Sequence, residues 1–320
     1  MARPLSDPPP EFGLIARHFR PLAGPGALDL LDDAALLRPP PGRELVFTAD
    51  AMVAGVHFLP DDPADTVGAK LLRVSLSDLA AMGATPLAYL MAVSAPRDTG
   101  DAWFAAFAAG LARDQARFGV TLLGGDTTAT PGPMTLSLTA IGHVAPGAAL
   151  RRQGAAAGDE VWVTGTIGDG ALGLLALQGR VPDPDGWLAG RYRLPQPRLG
   201  LALHGIVSAC MDVSDGLVQD LGHLCRAARL GAVVEAALVP RSAAARTAGE
   251  AWLETCLTGG DDYELLMAVP PQRADALMAA AAAQGCGITR IGRFEAGAQV
   301  RVLDGAGAAI SLDRPGWSHF

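Results

Sequence analysis

The sequence predicts a two-domain α/β (α+β) chain, and three observations carry that prediction. Its 320 residues are about twice the usual domain length of roughly 150. Half of them are hydrophobic, enough to build a large core. Strand-like and helix-like patterns recur in both halves, and the Gly-, Pro- and Ala-rich stretch Ala145–Asp159 separates them. The expected domains are 1–148 and 149–320.

In the first half, Phe12, Ile15, Ala16 and Phe19 keep helical spacing over Glu11–Phe19. Leu45–Thr48 reads as a short strand closed by Asp50, and a helix starts near Pro63–Asp65 and runs to Met82–Gly83. Pro86–Ala95 reads as a strand. Asp101–Phe118 places Trp103, Phe104, Phe107 and Leu111 on one helical face and stops at Gly119. Val120–Leu123 and Met134–Val144 are strand-like. In the second half the expected strands are Glu160–Thr164, Cys210–Val213, Ala232–Val239, Glu264–Val269, Ile288–Phe294 and Gln299–Leu303. Helices are expected at Asp169–Leu177, Pro197–His204, Gly216–Leu230 and Arg273–Gln284.

Composition excludes several function classes. The chain carries 33 acidic and 25 basic residues, net −8, and neither half is basic, which argues against phosphate-backbone binding and hence against a nucleic-acid partner. No apolar run approaches the roughly 18 residues of a membrane span, and the N-terminus has no signal-like apolar core, so cytoplasmic residence is the default. Cys210, Cys225, Cys256 and Cys286 form no C-x-x-C pair and read as small core residues. The only lysine, Lys70, lies in no G-x-x-x-x-G-K-[ST] context, so this is not a P-loop enzyme.

The acids are 25 Asp against 8 Glu, and many of the Asp fall in short Gly- and Ser-rich segments. These are expected at breaks between elements rather than on solvated helix faces: Asp32-Asp33, Asp50, Asp78, Asp126 in Gly124-Gly125-Asp126-Thr127-Thr128, Asp212-Val213-Ser214-Asp215-Gly216, and Gly259-Gly260-Asp261-Asp262-Tyr263-Glu264. Each alone is what turns and helix caps use. Gathered together, carboxylates would repel by roughly 4 kcal/mol per close pair at an effective dielectric of about 20 unless cations lay between them. Short carboxylates suit Mg²⁺, which takes oxygen ligands in tight octahedral geometry. Gly124-Gly125 and Gly216 could bring backbone N–H groups close to an anion, and Arg151-Arg152 could cap a polyphosphate or be a solvated pair.

On these segments the chain resembles the thiamine-monophosphate kinase family, of the superfamily that includes aminoimidazole ribonucleotide synthetase and selenophosphate synthetase. The narrower marks are Gly55-Val56-His57-Phe58, Gly259–Leu265 and the terminal Gly316-Trp317-Ser318-His319-Phe320; Asp220-Leu221-Gly222-His223 also matches. The resemblance implies a PurM-like two-domain architecture whose N-terminal domain pairs two copies into a homodimer. It implies Mg²⁺ ligation by Asp33, Thr48, Ala49 (backbone), Asp50, Asp78, Asp126, Asp212 and Asp215, with potassium a further candidate ion. Gly125, Asp126, Arg152 and Ser214 would contact ATP, and His57, Asp261 and Trp317 would contact thiamine monophosphate.

Three positions depart from the family pattern. The usual G-I-G-D-D is Asp29-Leu30-Leu31-Asp32-Asp33, the frequent T-T-D is Thr48-Ala49-Asp50, and a common Glu is Asp261. No carboxylate ligand is lost. Transfer to a phosphate monoester needs no base, because the acceptor's second pKa is near 6. Direct transfer without a phosphoenzyme is therefore expected. Two alternatives are a related ATP-dependent synthetase, which would be expected to carry a reactive Cys or Lys near the N-terminus, and a non-catalytic nucleotide and Mg²⁺ sensor.

Overall fold

The computed structural model describes residues 10–318; residues 1–9, and His319 and Phe320 at the end of the W-x-H-F mark, lie outside the described residues. The chain divides into two compact units: Met1–Ser75 with Pro86–His143, and Leu76–Thr85 with Val144–Phe320.

Unit 1 begins with α1 (Pro10–Leu14), continues through β1 (Glu44–Val53), most of α2 (Ala64–Ala81), β2 (Thr85–Pro96), α3 (Asp101–Phe118) and β3 (Thr121–Thr130), and ends with β4 (Thr135–Val144). Its strands form one sheet in the order β1-β4-β2-β3. Parallel β2 and β3 shift register between Tyr89 and Leu90, so that Leu122 faces Tyr89 and Gly124 faces Leu90, leaving Leu123 as a bulge. Helix α3 matches its sequence signals. It buries Phe104, Phe107 and Leu111, and Gly119 closes it in the left-handed region at φ 69°.

Unit 2 holds β5 (Glu160–Thr164), α4 (Asp169–Leu177), α5 (Trp187–Arg193), β6 (Ala209–Asp212), α6 (Leu217–Ala228), β7 (Gly231–Glu235), α7 (Ala243–Ala248), α8 (Leu253–Thr258), β8 (Leu265–Val269), α9 (Ala274–Ala283), β9 (Ile288–Glu295) and β10 (Val300–Leu303). Its six strands run β10-β7-β9-β5-β8-β6, parallel only between β10 and β7. Every residue of β8 is buried, as its apolar run Leu265–Val269 requires. Val161, Val163, Met211, Leu217, Leu221, Val234 and Leu266 share one core cluster. All four cysteines are free; burial pushes the Cys225 thiol up to about 11 and that of Cys256 to about 12. Among the described residues, no helix is long and apolar enough to cross a membrane.

Several elements differ from expectation. The predicted helix Glu11–Phe19 is α-helical only to Leu14, then π-helical over Ile15–Phe19. Pro197–His204 is not helical. Gly200 sits in a turn at φ 81° in the middle of the predicted helix, and Leu199, Leu201 and Leu203 pack into one core cluster from this non-helical backbone. The strand expected over Ala232–Val239 ends at Glu235 and passes into a 3₁₀ turn, Ala236–Leu238. Helices α5, α7 and α8 had no predicted counterpart; each has seven residues or fewer. Asp50, Asp78 and Asp126 lie inside β1, α2 and β3 rather than at breaks between elements.

Candidate active site

In unit 1, Asp32, Asp33, Gly125 and Asp126 line a cavity of about 730 Å³ together with apolar Phe12, Leu30, Phe47, Leu90 and Ile141. Asp33 reaches it on a turn in which Leu28, Asp29 and Leu30 all have positive φ, at 51°, 59° and 56°. The backbone thus takes here, without glycine, the left-handed conformation that glycine ordinarily supplies. Gly125 is not a free phosphate loop as the sequence suggested. It sits within β3, and a Cβ there would lie 1.7 Å from the Met91 carbonyl oxygen across the β2–β3 pairing. Only a residue without a side chain fits that approach.

Along β1, Leu45 and Phe47 face the cavity, so Thr48 and Asp50 alternate onto the opposite face. There Ser75 of α2 donates its hydroxyl to Asp50 Oδ2 at 2.7 Å, and Ser137 donates to the Asp50 carbonyl at 3.0 Å. The sheet therefore separates Asp33 and Asp126 from Thr48 and Asp50. His57 accepts the Val53 N–H at Nδ1, 3.0 Å, so that nitrogen carries no proton and Nε2 is the donor. Lys70, 2 % exposed, donates to the His57 carbonyl at 3.0 Å. The lone lysine thus braces the Gly55–Phe58 turn.

Unit 2 draws its predicted residues together around the end of β6. The buried Asp212 accepts the Ser77 hydroxyl at 2.7 Å, and Asp78 follows Ser77 on α2. Backbone pairing continues past β6 and β8: Tyr263 N–H donates to the Val213 carbonyl at 2.8 Å and Asp261 N–H to that of Ser214 at 2.9 Å. Trp317 N–H donates to the Asp215 carbonyl at 2.9 Å. Gln219 donates its side-chain amide to Asp215 Oδ2 at 3.3 Å and also to the Trp317 carbonyl. Ser214, Asp215, Asp261 and Trp317 thus share one hydrogen-bonded junction. Arg152 follows Arg151, whose carbonyl accepts Cys210 N–H at 2.9 Å on β6.

The N–H groups expected to cradle an anion at the start of α6 are taken by the protein itself. Asp220 Oδ2 accepts the N–H of Ser214 (3.0 Å), Asp215 (3.0 Å) and Gly216 (3.2 Å). Burial pushes the Asp220 carboxyl up to about 7; Asp215 adds to the rise by its charge, and the three N–H groups pull the other way. Gly216 has φ 121°, and a Cβ there would lie 2.6 Å from the Thr258 carbonyl oxygen. Asp220 also forms, with Asp215 and His223, a group whose ligand atoms all lie within 4.8 Å of one another. Arg226 donates to His223 Nδ1 at 2.9 Å, which leaves Nε2 as the proton-bearing nitrogen. Burial, Arg226 and Arg152 hold the His223 pKa below its ordinary value, against Asp215.

A second buried set holds the loop that carries Asp261. Asp262 accepts the N–H of Gly168 (2.6 Å) and Gly170 (3.0 Å) at the start of α4, and burial pushes its carboxyl up to about 8 against those bonds. Glu264, fully buried, accepts Thr164 Oγ1 (2.7 Å), Arg191 (2.9 Å) and both forks of Arg198 (2.5 and 2.6 Å). Successive side chains of this loop therefore alternate. Asp262 and Glu264 point inward, while the less buried Asp261 and Tyr263 meet each other through a 3.3 Å hydroxyl–carboxylate bond. Both of the latter have left-handed backbone, φ 71° and 53°.

Two α/β units that carry carboxylates on sheet and loop backbones define the class. Residues 31–144 match the family model for the AIR synthase related protein, N-terminal domain, and residues 156–305 match that for its C-terminal domain. A thiamine-monophosphate kinase from Caulobacter vibrioides is 46 % identical over 99 % of this chain and 93 % of its own length. The crystal structure of thiamine-monophosphate kinase from Stenotrophomonas maltophilia K279a superposes with a TM-score of 0.83 at 41 % identity, covering 94 % of this chain and 98 % of that one. The AaThiL complex with AMPPCP and TMP superposes at 0.76 and 29 % identity over 97 % of each chain. The chain belongs to the thiamine-monophosphate kinase family of AIR synthase related proteins.

Proposed function

We propose that the chain transfers the γ-phosphoryl group of ATP to the phosphate of thiamine monophosphate, giving thiamine diphosphate and ADP. One observation carries the reading: the Ser214–Asp215 segment, assigned to nucleotide and metal, is bonded backbone to backbone to Asp261 and Trp317, assigned to the acceptor. Kinship with named kinases and the relative complexed with AMPPCP and TMP support the same pair of substrates.

The acceptor phosphate oxygen attacks the γ-phosphorus in line, and the bond to the β–γ bridging oxygen breaks as ADP leaves. The acceptor is mostly a dianion at neutral pH, so no side chain has to remove a proton and no phosphoenzyme forms. What the protein supplies is position and charge balance. Arg152 and the Ser214 hydroxyl hold the donor, with Gly125 and Asp126 assigned to the nucleotide in unit 1. His57 and Asp261 hold the acceptor, and Trp317 offers its indole face to the thiazolium cation.

The donor set fits Mg²⁺ because it is all oxygen: Asp33, Thr48, the Ala49 carbonyl, Asp50 and Asp126 in unit 1, and Asp78, Asp212 and Asp215 in unit 2. The close approach of Asp215 to Asp220 is an arrangement a cation would relieve. When bound, Mg²⁺ offsets the repulsion between polyanionic donor and dianionic acceptor. Potassium remains a candidate further ion. Residues 1–148 are taken as the nucleotide and dimerisation domain, 149–320 as the C-terminal domain, and the enzyme as a cytoplasmic homodimer. Leu31 and Leu36, exposed in unit 1 outside the cavity, support an apolar pairing surface.

The reading is tested with purified protein, ATP and Mg²⁺, with and without thiamine monophosphate, and chromatography of the products. Thiamine diphosphate that appears only with the acceptor is the expected result. ATP binding with no product would favour the sensor reading, and an acid-labile aspartyl phosphate would overturn direct transfer.

A further inference from the structure

Three consecutive N–H groups that converge on one point form an anion-binding nest, and in nucleotide enzymes such nests ordinarily await phosphate. Here the nest at Ser214, Asp215 and Gly216 is already filled, by a single oxygen of Asp220 one turn into α6. Asp220 is 1 % exposed, and the oxygen it turns to the nest is taken by the three N–H groups. Its carboxylate has two consequences for the segment above it. With their N–H groups bound, the three residues have one backbone conformation. In that conformation the Ser214 carbonyl receives Asp261 N–H and the Asp215 carbonyl receives Trp317 N–H.

The geometry points to Asp220 as a positioning residue: it holds the Ser214–Gly216 backbone so that the Ser214 hydroxyl and the Asp215 carboxylate are presented to nucleotide and metal. The inference rests on the proposed phosphoryl transfer for its kinetic test but not for its geometry. Asp220 touches neither substrate; it acts through the loop. A side chain that merely filled core volume would be replaceable by any residue of similar size, whereas here the acceptor oxygen is what matters. Asn retains a carbonyl oxygen at that place, and Leu keeps the volume without it.

Three measurements decide. In the ligand-free wild-type chain, the amides of residues 214–216 should exchange with deuterium at least 100-fold more slowly than unstructured amides; exchange at the unstructured rate overturns the inference without any variant. In D220L, the KM for Mg·ATP and the Mg²⁺ concentration for half activity should rise at least tenfold while the KM for thiamine monophosphate moves less than threefold, and D220N should recover most of that loss. An equal rise in both substrate KM values, or failure of D220N to recover more than D220L, overturns it. Calorimetric titration with Mg·AMPPNP reads the same tenfold weakening in D220L even if no thiamine diphosphate is formed. A wild-type chain without kinase activity would thus refute the function and leave the positioning role separately decided.

Discussion

The Asp261 amide donates to the Ser214 carbonyl at 2.9 Å, two residues past the end of β6 and four before the start of β8. Through this bond the loop assigned to the acceptor and the loop assigned to the nucleotide become one piece of backbone. The same segment receives Trp317 through the Asp215 carbonyl, so the C-terminal tail is anchored on the residue assigned to the metal. Phosphoryl transfer is sensitive to the distance between donor and acceptor, and a shared ladder fixes that distance better than two independent loops would.

Trp317 is 45 % exposed although its backbone is fastened at both N–H and carbonyl. W317A should raise the KM for thiamine monophosphate at least tenfold and leave that for ATP within about threefold, consistent with the roughly 1–2 kcal/mol of a desolvated cation–π contact. W317F should fall between the two. Steady-state kinetics with each substrate varied in turn provides the check, and an equal effect on both would assign Trp317 to anchoring the tail.

Glu264 is fully buried and faces two arginines, Arg191 at 2.9 Å and Arg198 at 2.5 Å, with the buried Asp169 farther from Arg191 at 4.0 Å. Breaking a buried pair strands the remaining charge, at a cost of about 3–5 kcal/mol. E264Q should therefore lower the free energy of unfolding by that order in a urea titration at neutral pH. Replacement with little effect would mean that water reaches the arginines.

How much of this was legible beforehand depended on whether residues act through neighbours in sequence or in space. The long amphipathic helix Asp101–Phe118 and its glycine stop were readable because both signals are local. The short α7 was not, although Ser242, which accepts Ala245 N–H at 3.0 Å, is a cap signal that could have found it. In Pro197–His204 the local signal against a helix is Gly200, which takes φ 81° in a turn. The Asp-rich segments were visible as motifs. Their internal division was hidden, because a carboxylate that holds backbone N–H groups, such as Asp220 or Asp262, is written with the same letter as one assigned to a metal. Of the two positions in the turn before Asp33 where the family has glycine, Asp29 keeps a left-handed backbone at φ 59° while Leu31, at φ −109°, does not.

That turn carries strain which can be measured. Asp29 is exposed and sits at φ 59°, a conformation that costs a non-glycine residue roughly 1 kcal/mol. Its ion-pair contact to Arg20, at 3.8 Å between exposed groups, contributes little. D29G should thus stabilise unit 1 by about 0.5–1 kcal/mol, seen as a higher midpoint in thermal unfolding, with kinase activity preserved. A lower midpoint would show that the entropy glycine gains in the unfolded chain outweighs the relieved strain.

The separation of carboxylates across the unit 1 sheet gives the final prediction. Asp126 is exposed and lines the cavity, while Asp50 lies on the other face and already accepts a hydroxyl from Ser75 at 2.7 Å. If both serve the metal, each should raise the Mg²⁺ requirement when neutralised, yet only Asp50 also has a structural bond to lose. D126N should leave unfolding within about 0.5 kcal/mol of wild type, the usual range for an exposed position. D50N should destabilise by about 1 kcal/mol through its hydroxyl bond. Both should need at least tenfold more Mg²⁺ for half activity, and chelation with EDTA should abolish turnover in all three proteins. A Mg²⁺ titration that is unchanged in D126N but shifted in D50N would confine the metal to the α2 face of the sheet and leave the cavity to the nucleotide alone.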